Sequence, residues 1–528
     1  MNHSLHNLLD TVRYDPHKDT LFLVGDILAK STEAGSLAIL DFFAQQKLAC
    51  TKHRLDAAGR STRHSSCKPV YAVRGNHDQM IVQWRAWRDW FEPLQLAPPS
   101  PSLFSRCFSA PSPSTASYDI GKPVGTGSEF LALIEDEWLQ DRTTDPTGAG
   151  SDVEEWIEVA RKRAHGTWRA DWWKRIPRPG KGRTSKDWIM FGDHYWIARD
   201  MKADHAQFLF SLPLVIHVPS EHFFLVHAGL LPFDPRRPST DKHQPLAHLP
   251  ISGDDDEDYS DMPKEAYDYP LLDISSQRDP PPVRLDDETE ELRVVQERSI
   301  LHDVPQNRDP WTLLNLRGVR KNGKVTRESD QGTPWAKIWN TQMKRCGGFS
   351  NASGGADAGA ALRRKGRSGD RDEWEEDAGA GHDPLPCYPS TAVYGHAASR
   401  DLDVRRWTVG LDTGCLYGRR LTALVLSREG DEARRPFSPF DDELYDDEGP
   451  DGDGDEDGAD GDDEDDWNTE GPFGDVNARH ARVGRGAVAS GSRRPPTTWT
   501  RRIKFGDRDA DIGAKLVSVK CPKVADLS

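Results

Sequence analysis

The chain has 528 residues, of which 36% are hydrophobic and 29% charged, with a mean hydropathy of −0.72. This length allows two to three domains, and the low apolar share predicts that part of the chain is unfolded. No window approaches about 18 consecutive apolar residues, so no transmembrane helix is expected. The seven cysteines form no CxxC pair, which argues against a zinc finger or a disulfide scaffold and predicts reduced thiols in a non-oxidising compartment.

The net charge of −17 is concentrated in one segment. Between Asp441 and Asp466 there are 17 acidic residues and no Lys or Arg, which leaves 69 acidic residues to balance 69 basic ones elsewhere. The overall acidity therefore carries no information about the substrate. We predict that this acidic run is a disordered, looped-out insertion; the alternative is an autoinhibitory mimic of an anionic ligand.

Hydrophobic patterns predict an α/β chain. Helical spacing of apolar residues predicts one helix before Asp15 and another from Ser36 to Gln46. Short continuous apolar runs are typical of strands buried in a sheet. They occur at Thr20–Val24, Val70–Val73, Phe223–Val226, Ala392–Tyr394, Thr408–Asp412, Leu421–Leu426 and Ala514–Val519.

Composition divides the chain into core segments and insertions. We predict a core half at 1–90, a Pro/Ser-rich and then basic, Trp-rich helical insertion at 91–190, core at 191–232, a disordered linker at 233–308, an ordered core segment at 309–345, a Gly/Arg-rich linker at 346–390, core strands at 391–428, an acidic disordered insertion at 429–500, and a final strand and tail at 501–528.

Four of the predicted strands end in a residue that can bind a metal: Asp26, Asn76, His227 and His396. Ligands bind at the carboxyl ends of strands in open α/β sheets. Carboxylate, amide and imidazole groups suit Mn, Zn or Fe. A lone histidine at a strand end is usually structural. Four such ends together predict metal-assisted hydrolysis of a phosphate ester, with a nearby histidine to protonate the leaving oxygen.

These strand ends resemble the calcineurin-like metallophosphoesterases. The resemblance rests on the strings Gly25-Asp26-x-x-x-Lys30, Arg74-Gly75-Asn76-His77-Asp78, Val226-His227-Ala228-Gly229 and Tyr394-Gly395-His396. Lys30 and the string Gly410-Leu411-Asp412-Thr413-Gly414-Cys415 are similar to the ApaH-like branch, which includes diadenosine tetraphosphatases and the fungal zinc-dependent endopolyphosphatase. The resemblance implies an α/β fold in which helices flank a layered β-sandwich.

The resemblance also implies a role for each residue. Asp26 would bridge two metal ions, and Asn76, His227 and His396 would complete the second metal site. His77 would be the general acid, oriented by Asp78. Lys30 and Arg74 would contact the substrate phosphate, although an arginine at position 74 could instead be structural.

The chain departs from the family pattern in two places. Members of the family begin with a strand that ends in Gly-Asp-x-His-Gly. This sequence lacks that motif, because Met1 stands where the residue just after it is expected. We therefore expect a truncated chain without the first core strand, and about one bound metal in place of two. Ser31-Thr32 stand where the family usually has Gly-Pro.

The resulting prediction is a metal-dependent phosphohydrolase that cleaves a phosphoanhydride, either polyphosphate or a dinucleoside polyphosphate. Alternatives are a protein Ser/Thr phosphatase and a non-catalytic pseudo-phosphatase. The basic stretch Arg161–Lys186 is either a solvated helix whose tryptophans pack on the core or an electropositive wall for a polyanion. The chain by itself predicts a cytoplasmic location; an upstream membrane anchor would instead predict the vacuolar lumen.

Overall fold

The computed structural model describes residues 2–28, 32–51, 54–55, 61–62, 68, 70–96, 125–144, 153–177, 189–250, 271–273, 287–349, 384–428, 498–506 and 512–522. Lys30 and the acidic run 441–466 lie outside the described residues, as does the Pro/Ser-rich start of the predicted insertion.

Sixteen strands are present in the part of the chain that the structure describes. They are β1 (Leu21–Leu23), β2 (Arg54–Leu55), β3 (Ser61–Thr62), β4 (Val70–Ala72), β5 (Val215–Val218), β6 (Phe223–Val226), β7 (Leu271–Asp273), β8 (Gly318–Val319), β9 (Val325–Thr326), β10 (Thr333–Pro334), β11 (Thr391–Tyr394), β12 (Asp403–Arg405), β13 (Thr408–Gly410), β14 (Arg420–Arg428), β15 (Thr498–Ile503) and β16 (Ile512–Lys520). All seven strands predicted from apolar runs are confirmed.

Helices separate these strands. They are α1 (Asn2–Val12), α2 (Glu33–Thr51), α3 (Asn76–Phe91), α4 (Gly127–Thr144), α5 (Val153–Ala164), α6 (Arg169–Trp173), α7 (Asp193–Asp200), α8 (Ala203–Phe210), α9 (Asp287–Asp303), α10 (Pro310–Asn315) and α11 (Trp335–Met343). No helix among the described residues is both long enough and apolar enough to cross a membrane.

Three sheets frame the molecule. The largest has six strands in the order β12-β13-β11-β6-β5-β7, and within it β6, β11 and β13 run parallel. A second sheet pairs β1 with β4 in parallel, and a third has the order β14-β16-β15. The last predicted strand does return to a sheet, since β16 pairs with β14 over its whole length.

The sheets pack face to face with helices on both outer sides. Phe22 and Val73 from the β1–β4 sheet share an apolar cluster with Leu225 and Val393 from the six-stranded sheet. Another cluster joins α2 and α3 to α4–α8, and a third packs α9–α11 on the opposite side. This is the layered β-sandwich flanked by helices that the sequence predicts.

Two predictions about linkers are wrong in part. The segment 233–308 was expected to be disordered, but it contains the 17-residue helix α9, whose Glu297 is fully buried. The segment 346–390 was expected to be a linker, but Leu385 and Cys387 at its end are buried. In both segments the buried side chains contact residues that are distant in sequence. The composition of a segment does not reveal such contacts.

The prediction of reduced thiols is wrong for four cysteines. One disulfide joins Cys346 to Cys387, and another joins Cys415 to Cys521. The paired residues lie 41 and 106 positions apart. Sequence spacing does not reveal that pairing, because only the folded backbone brings such distant positions to within disulfide distance.

Candidate metal centre and active site

Parallel strands deliver the four predicted ligands to one place. Asp26 follows β1, and Asn76 opens α3 after β4. His227 follows β6, and His396 follows β11. We call these four residues the strand-end cluster. Because β1 runs parallel to β4 and β6 runs parallel to β11, their carboxyl ends meet at one edge of the sandwich.

His227 lies at the centre of the strand-end cluster. Its Nδ1 is 2.9 Å from the carbonyl oxygen of Val24. Its Nε2 is 3.0 Å from Oδ1 of Asn76, 3.1 Å from Nδ1 of His396 and 3.4 Å from Oδ2 of Asp26. The carbonyl of Val24 accepts the Nδ1 proton, so this backbone contact fixes the tautomer and leaves Nε2 to bind a ligand.

The strand-end cluster fits a metal ion. Asp26, His227 and His396 offer ligand atoms that all lie within 4.8 Å of one another, and Oδ1 of Asn76 is 3.1 Å from Nδ1 of His396. Nε2 of His227 thus faces an amide oxygen, an imidazole nitrogen and a carboxylate oxygen, all of them atoms that can bind a metal. A divalent cation can satisfy all four side chains, and their carboxylate, amide and imidazole donors suit Mn, Zn or Fe.

The charges of the cluster also favour a cation. Burial, together with the nearby His227 and Arg317, holds the pKa of His396 well below its usual value, so this ring is neutral and keeps a lone pair on one of its two nitrogens. Burial by itself raises the pKa of Asp26, but its interactions with His227 and His77 outweigh burial and leave that pKa well below its ordinary value. A charged carboxylate therefore faces a neutral imidazole in a largely buried site.

Strained backbone holds two of the ligands. Asp26 has a φ of 50° and His396 a φ of 66°. Residues other than glycine adopt this left-handed region of the backbone only at a cost in free energy. Gly25 has a φ of 85°, and a Cβ there would lie 2.6 Å from Nδ1 of His227. A Cβ on Gly75 would collide with the Asp26 carboxylate. These two glycines are therefore required for the close approach of the strand ends.

The carboxylate of Asp78 is hydrogen-bonded to the loop that carries Asp26. Its buried carboxylate accepts hydrogen bonds from the backbone N–H groups of Ile27, Leu28 and Gly75, at 3.1, 3.2 and 2.9 Å. Burial and the charge of Asp26 raise the pKa of Asp78 to about 6. Asp78 thus shapes the loop that carries Asp26. The Nδ1 of His77 is instead 2.8 Å from Nε2 of His194.

Of the two predicted phosphate contacts, only Arg74 is described. Its guanidinium donates to Oε1 of Gln79 at 2.9 Å and to the carbonyl of Phe210 at 2.8 Å. These contacts tie the end of β4 to the end of α8. They favour the structural interpretation of Arg74 over the phosphate-binding one.

Arg317 was missed by the sequence analysis. Its Nε is 3.4 Å from Nε2 of His396, and its Nη2 donates to the His396 carbonyl at 3.3 Å. Its own carbonyl accepts from Arg400 at 3.1 Å. Burial and the charge of Arg400 lower the pKa of Arg317. Arg317 precedes the short strand β8, far in sequence from the ligands, so no local pattern points to it.

A cavity of about 1140 Å³ opens beside the cluster. Its lining includes Asp26, Asn76, His77, His396, Arg317 and Asp412, together with apolar residues of α1 and β14. Burial, followed by the charge of Asp26, raises the pKa of Asp412. The disulfide of Cys415 ties the loop after Asp412 to the end of β16.

Residues 2–195 match the family model of the calcineurin-like phosphoesterases. A crystal structure described as that of a "putative diadenosine tetraphosphatase" is 14% identical, covers 80% of this chain and 82% of its own, and superposes with a TM-score of 0.29. No curated protein sequence matches the chain.

Residues 2–195 therefore match a calcineurin-like phosphoesterase domain, and the described part of the chain has the calcineurin-like metallophosphoesterase fold. The family match includes Asp26, Asn76 and His77. The structure adds His227 and His396, which lie beyond the matched residues. Enzymes of this family are phosphoesterases that bind divalent metals.

Proposed function

We propose that the protein is a metal-dependent phosphohydrolase that cleaves phosphoanhydride bonds in polyphosphate or dinucleoside polyphosphates. The observation that carries this proposal is the convergence of Asp26, Asn76, His227 and His396 beside His77. When bound there, a divalent cation would neutralise phosphate oxygens and activate a water molecule.

Side chains of the protein can supply the proton transfer and the phosphate binding. His77 is the second residue of α3, and its backbone N–H donates to Oδ1 of Asp26 at 3.0 Å, which places its ring beside the candidate metal ligands. From there it can protonate the oxygen that leaves phosphorus. The guanidinium of Arg317 borders the same cavity and can bind phosphate oxygens in a fork geometry.

Basic residues favour an extended anionic substrate over a single ester. Lys18, Lys68, Arg317, Arg419, Arg420 and Lys515 all line the cavity. A chain of linked phosphates can contact the cluster and several of these cations together, whereas a phosphoprotein brings one phosphate. This distribution supports the phosphoanhydride substrate class over a protein phosphatase.

Product analysis with the purified protein tests the proposal: shortened chains from polyphosphate, free nucleotides from diadenosine tetraphosphate, and inorganic phosphate from a phosphoserine peptide. After chelation, Mn²⁺ or Zn²⁺ should restore hydrolysis of long polyphosphate or diadenosine tetraphosphate, faster than that of a phosphoserine peptide. Faster hydrolysis of the peptide would indicate a protein phosphatase. Tight phosphate binding without turnover would indicate a pseudo-phosphatase.

The two disulfides favour an oxidising compartment over the cytoplasm. Cytoplasmic reductants keep most thiols reduced, whereas secretory and lumenal compartments preserve disulfides. Alkylation of the protein isolated from its own cells, followed by mass spectrometry, should find Cys346, Cys387, Cys415 and Cys521 protected. Alkylation of all four cysteines without prior reduction would show that they are free thiols and would favour the cytoplasm as the location of the protein.

A further inference from the structure

His194 is the partner that the structure gives to the ring of His77. Nε2 of His194 lies 2.8 Å from Nδ1 of His77. On its other side, Nδ1 of His194 lies 2.8 Å from Oδ1 of Asp193, and the same oxygen accepts the backbone N–H of His194 at 2.8 Å. The three side chains form a line from Asp193 to the active site.

The direction of the protons along this line follows from chemistry. An ionised carboxylate only accepts hydrogen bonds, so Nδ1 of His194 carries a proton that it donates to Asp193. A neutral His194 then has a lone pair on Nε2, which accepts a proton from Nδ1 of His77. The remaining nitrogen of His77, Nε2, becomes the one that exchanges a proton with the substrate.

A rigid helix holds His194 in place. The side chain of His194 is 12% exposed. The next residue, Tyr195, is buried, packs edge-on against Trp84 of α3 at 5.1 Å, and lies under Arg88 at 5.1 Å. Its hydroxyl donates to Glu135. Since α7 is fixed to α3 by these contacts, the distance between His194 and His77 is set by packed side chains.

We propose that His194, held by Asp193, is a positioning residue that fixes the tautomer and orientation of the general acid His77; this rests on the proposed function. In the step it serves, a water oxygen bonds to phosphorus while the P–O bond to the leaving group breaks, and the electron pair of that bond stays on the leaving oxygen. Nε2 of His77 gives that oxygen its proton, while the Nδ1 proton stays shared with His194. The attacking water later supplies the proton that restores His77.

Leaving-group dependence separates positioning from structure. His194→Ala should lower kcat on phenyl phosphate about 10-fold or more, less than the roughly 10²–10⁴-fold contribution of a general acid itself. Nitrophenyl phosphate has a leaving group that departs without a proton, so its kcat should change far less. KM should stay within about twofold on both substrates, because the change acts only in the transition state.

Two further variants and one control sharpen the test. His194→Gln should recover part of the loss, because the Gln Oε1 can accept the Nδ1 proton of His77. Asp193→Asn should give a smaller loss than His194→Ala. The control His165→Ala changes an exposed histidine at the end of α5 and should match the parent protein on both esters. Equal losses of His194→Ala on both esters would overturn the positioning role.

Histidine ring NMR provides a readout that does not need turnover. In the parent protein, ¹⁵N–¹H spectra should show His77 protonated on Nδ1, with a hydrogen-bonded proton that disappears in His194→Ala. An unprotonated Nδ1 on His77, or a spectrum unchanged by the substitution, would overturn the inference. A parent protein with the expected spectrum but no metal-dependent turnover would instead overturn the proposed function and leave the pairing established.

Discussion

Two groups of histidines and carboxylates each include two histidines from the region of the six-stranded sheet, and they differ in how their polar atoms are paired. The strand-end cluster gathers His227 and His396 around Asp26 and Asn76. The second group, here called the Glu297 cluster, comprises His217, His222, Glu290, Glu297 and Ser390.

Both carboxylate oxygens of Glu297 have hydrogen-bond partners inside the protein. Glu297 accepts from Nε2 of His217 at 2.7 Å, from Nδ1 of His222 at 3.0 Å and from Oγ of Ser390 at 2.8 Å. The second nitrogen of His222 contacts Glu290 at 3.0 Å. Both carboxylate oxygens of Glu297 thus meet a donor, and of the ring nitrogens only the buried Nδ1 of His217 has no hydrogen-bond partner among the described residues.

The strand-end cluster is open in comparison. An amide oxygen, an imidazole nitrogen and a carboxylate oxygen surround Nε2 of His227, and the group borders a cavity. The comparison shows that buried His and Glu are not by themselves a sign of a site. Ligand atoms that converge beside a cavity indicate a binding site, whereas a carboxylate whose oxygens are matched to donors indicates a structural cluster.

The largest effect is expected from Asp26→Asn, which removes the charged carboxylate from the strand-end cluster. Asn tolerates the positive φ of this position and keeps the size of the side chain, so the fold should persist. Metal affinity should fall by more than about 100-fold, because even partners of metal ligands contribute 10–100-fold. Metal analysis after dialysis should find about one equivalent in the parent protein and none in the variant. Two equivalents in the parent would show that other side chains complete a second site.

His77→Ala should remove proton transfer but leave the strand-end cluster intact. We expect turnover of a phosphoanhydride to fall by roughly 10²–10⁴-fold, the usual contribution of a general acid. Metal content, measured on the same sample, should match the parent. Unchanged turnover with metal still bound would rule out His77 as the general acid.

Glu297→Gln should show the opposite behaviour, with lost stability and a retained metal. Removing one partner of a buried charge pair costs about 3–5 kcal/mol of unfolding free energy. Denaturant unfolding monitored by fluorescence measures this loss. Metal content and KM, determined well below the midpoint of unfolding, should equal those of the parent. Loss of metal in the folded variant would mean that the two clusters are coupled.

The stability that the Glu297 cluster provides should depend on pH in both directions. Burial alone would raise the pKa of Glu297, but hydrogen bonds from His217 and His222 hold it below its ordinary value, so its contribution is lost as the pH falls below about 4.3. Burial opposes protonation of His222, yet Glu290 and Glu297 raise its pKa. That contribution is complete below about pH 6.5 and is lost as the pH rises through the raised value. The stability difference between the parent and Glu297→Gln should therefore peak between these limits.

The smallest effect is expected from the basic segment around α5 and α6. Lys162 contacts Glu158 at 3.0 Å, and Lys174 contacts Asp171 at 2.9 Å. Trp173 is buried, with Arg161 over its ring at 5.7 Å. These contacts favour the solvated helix over the electropositive wall.

Replacing Lys162 and Lys174 by Gln should change KM for long polyphosphate by less than about twofold, because exposed ion pairs contribute little and salt screens charges beyond about 8 Å. KM measured at low and physiological salt provides the comparison. A several-fold rise at low salt that vanishes at high salt would restore the electropositive wall.

The sequence by itself determined the strands and the residues at their ends. Short apolar runs predict the strands of the sheet, because buried strands need continuous apolar side chains. The polar residues Asp26, Asn76, His227 and His396 follow where these strands end, and this position makes them the candidate ligands. The same pattern placed β16 back in a sheet after the long acidic run.

The tertiary structure alone decided which distant polar groups meet. Arg317 approaches His396 from a separate core segment, and His194 reaches His77 across 117 positions. Glu297 is buried because two histidines from another element neutralise it. The hydrophobic periodicity and the local motifs of a sequence indicate how each segment is buried. They carry no information about hydrogen-bond partners that packing brings together, and those partners decide which cluster stays closed and which is open to bind a metal.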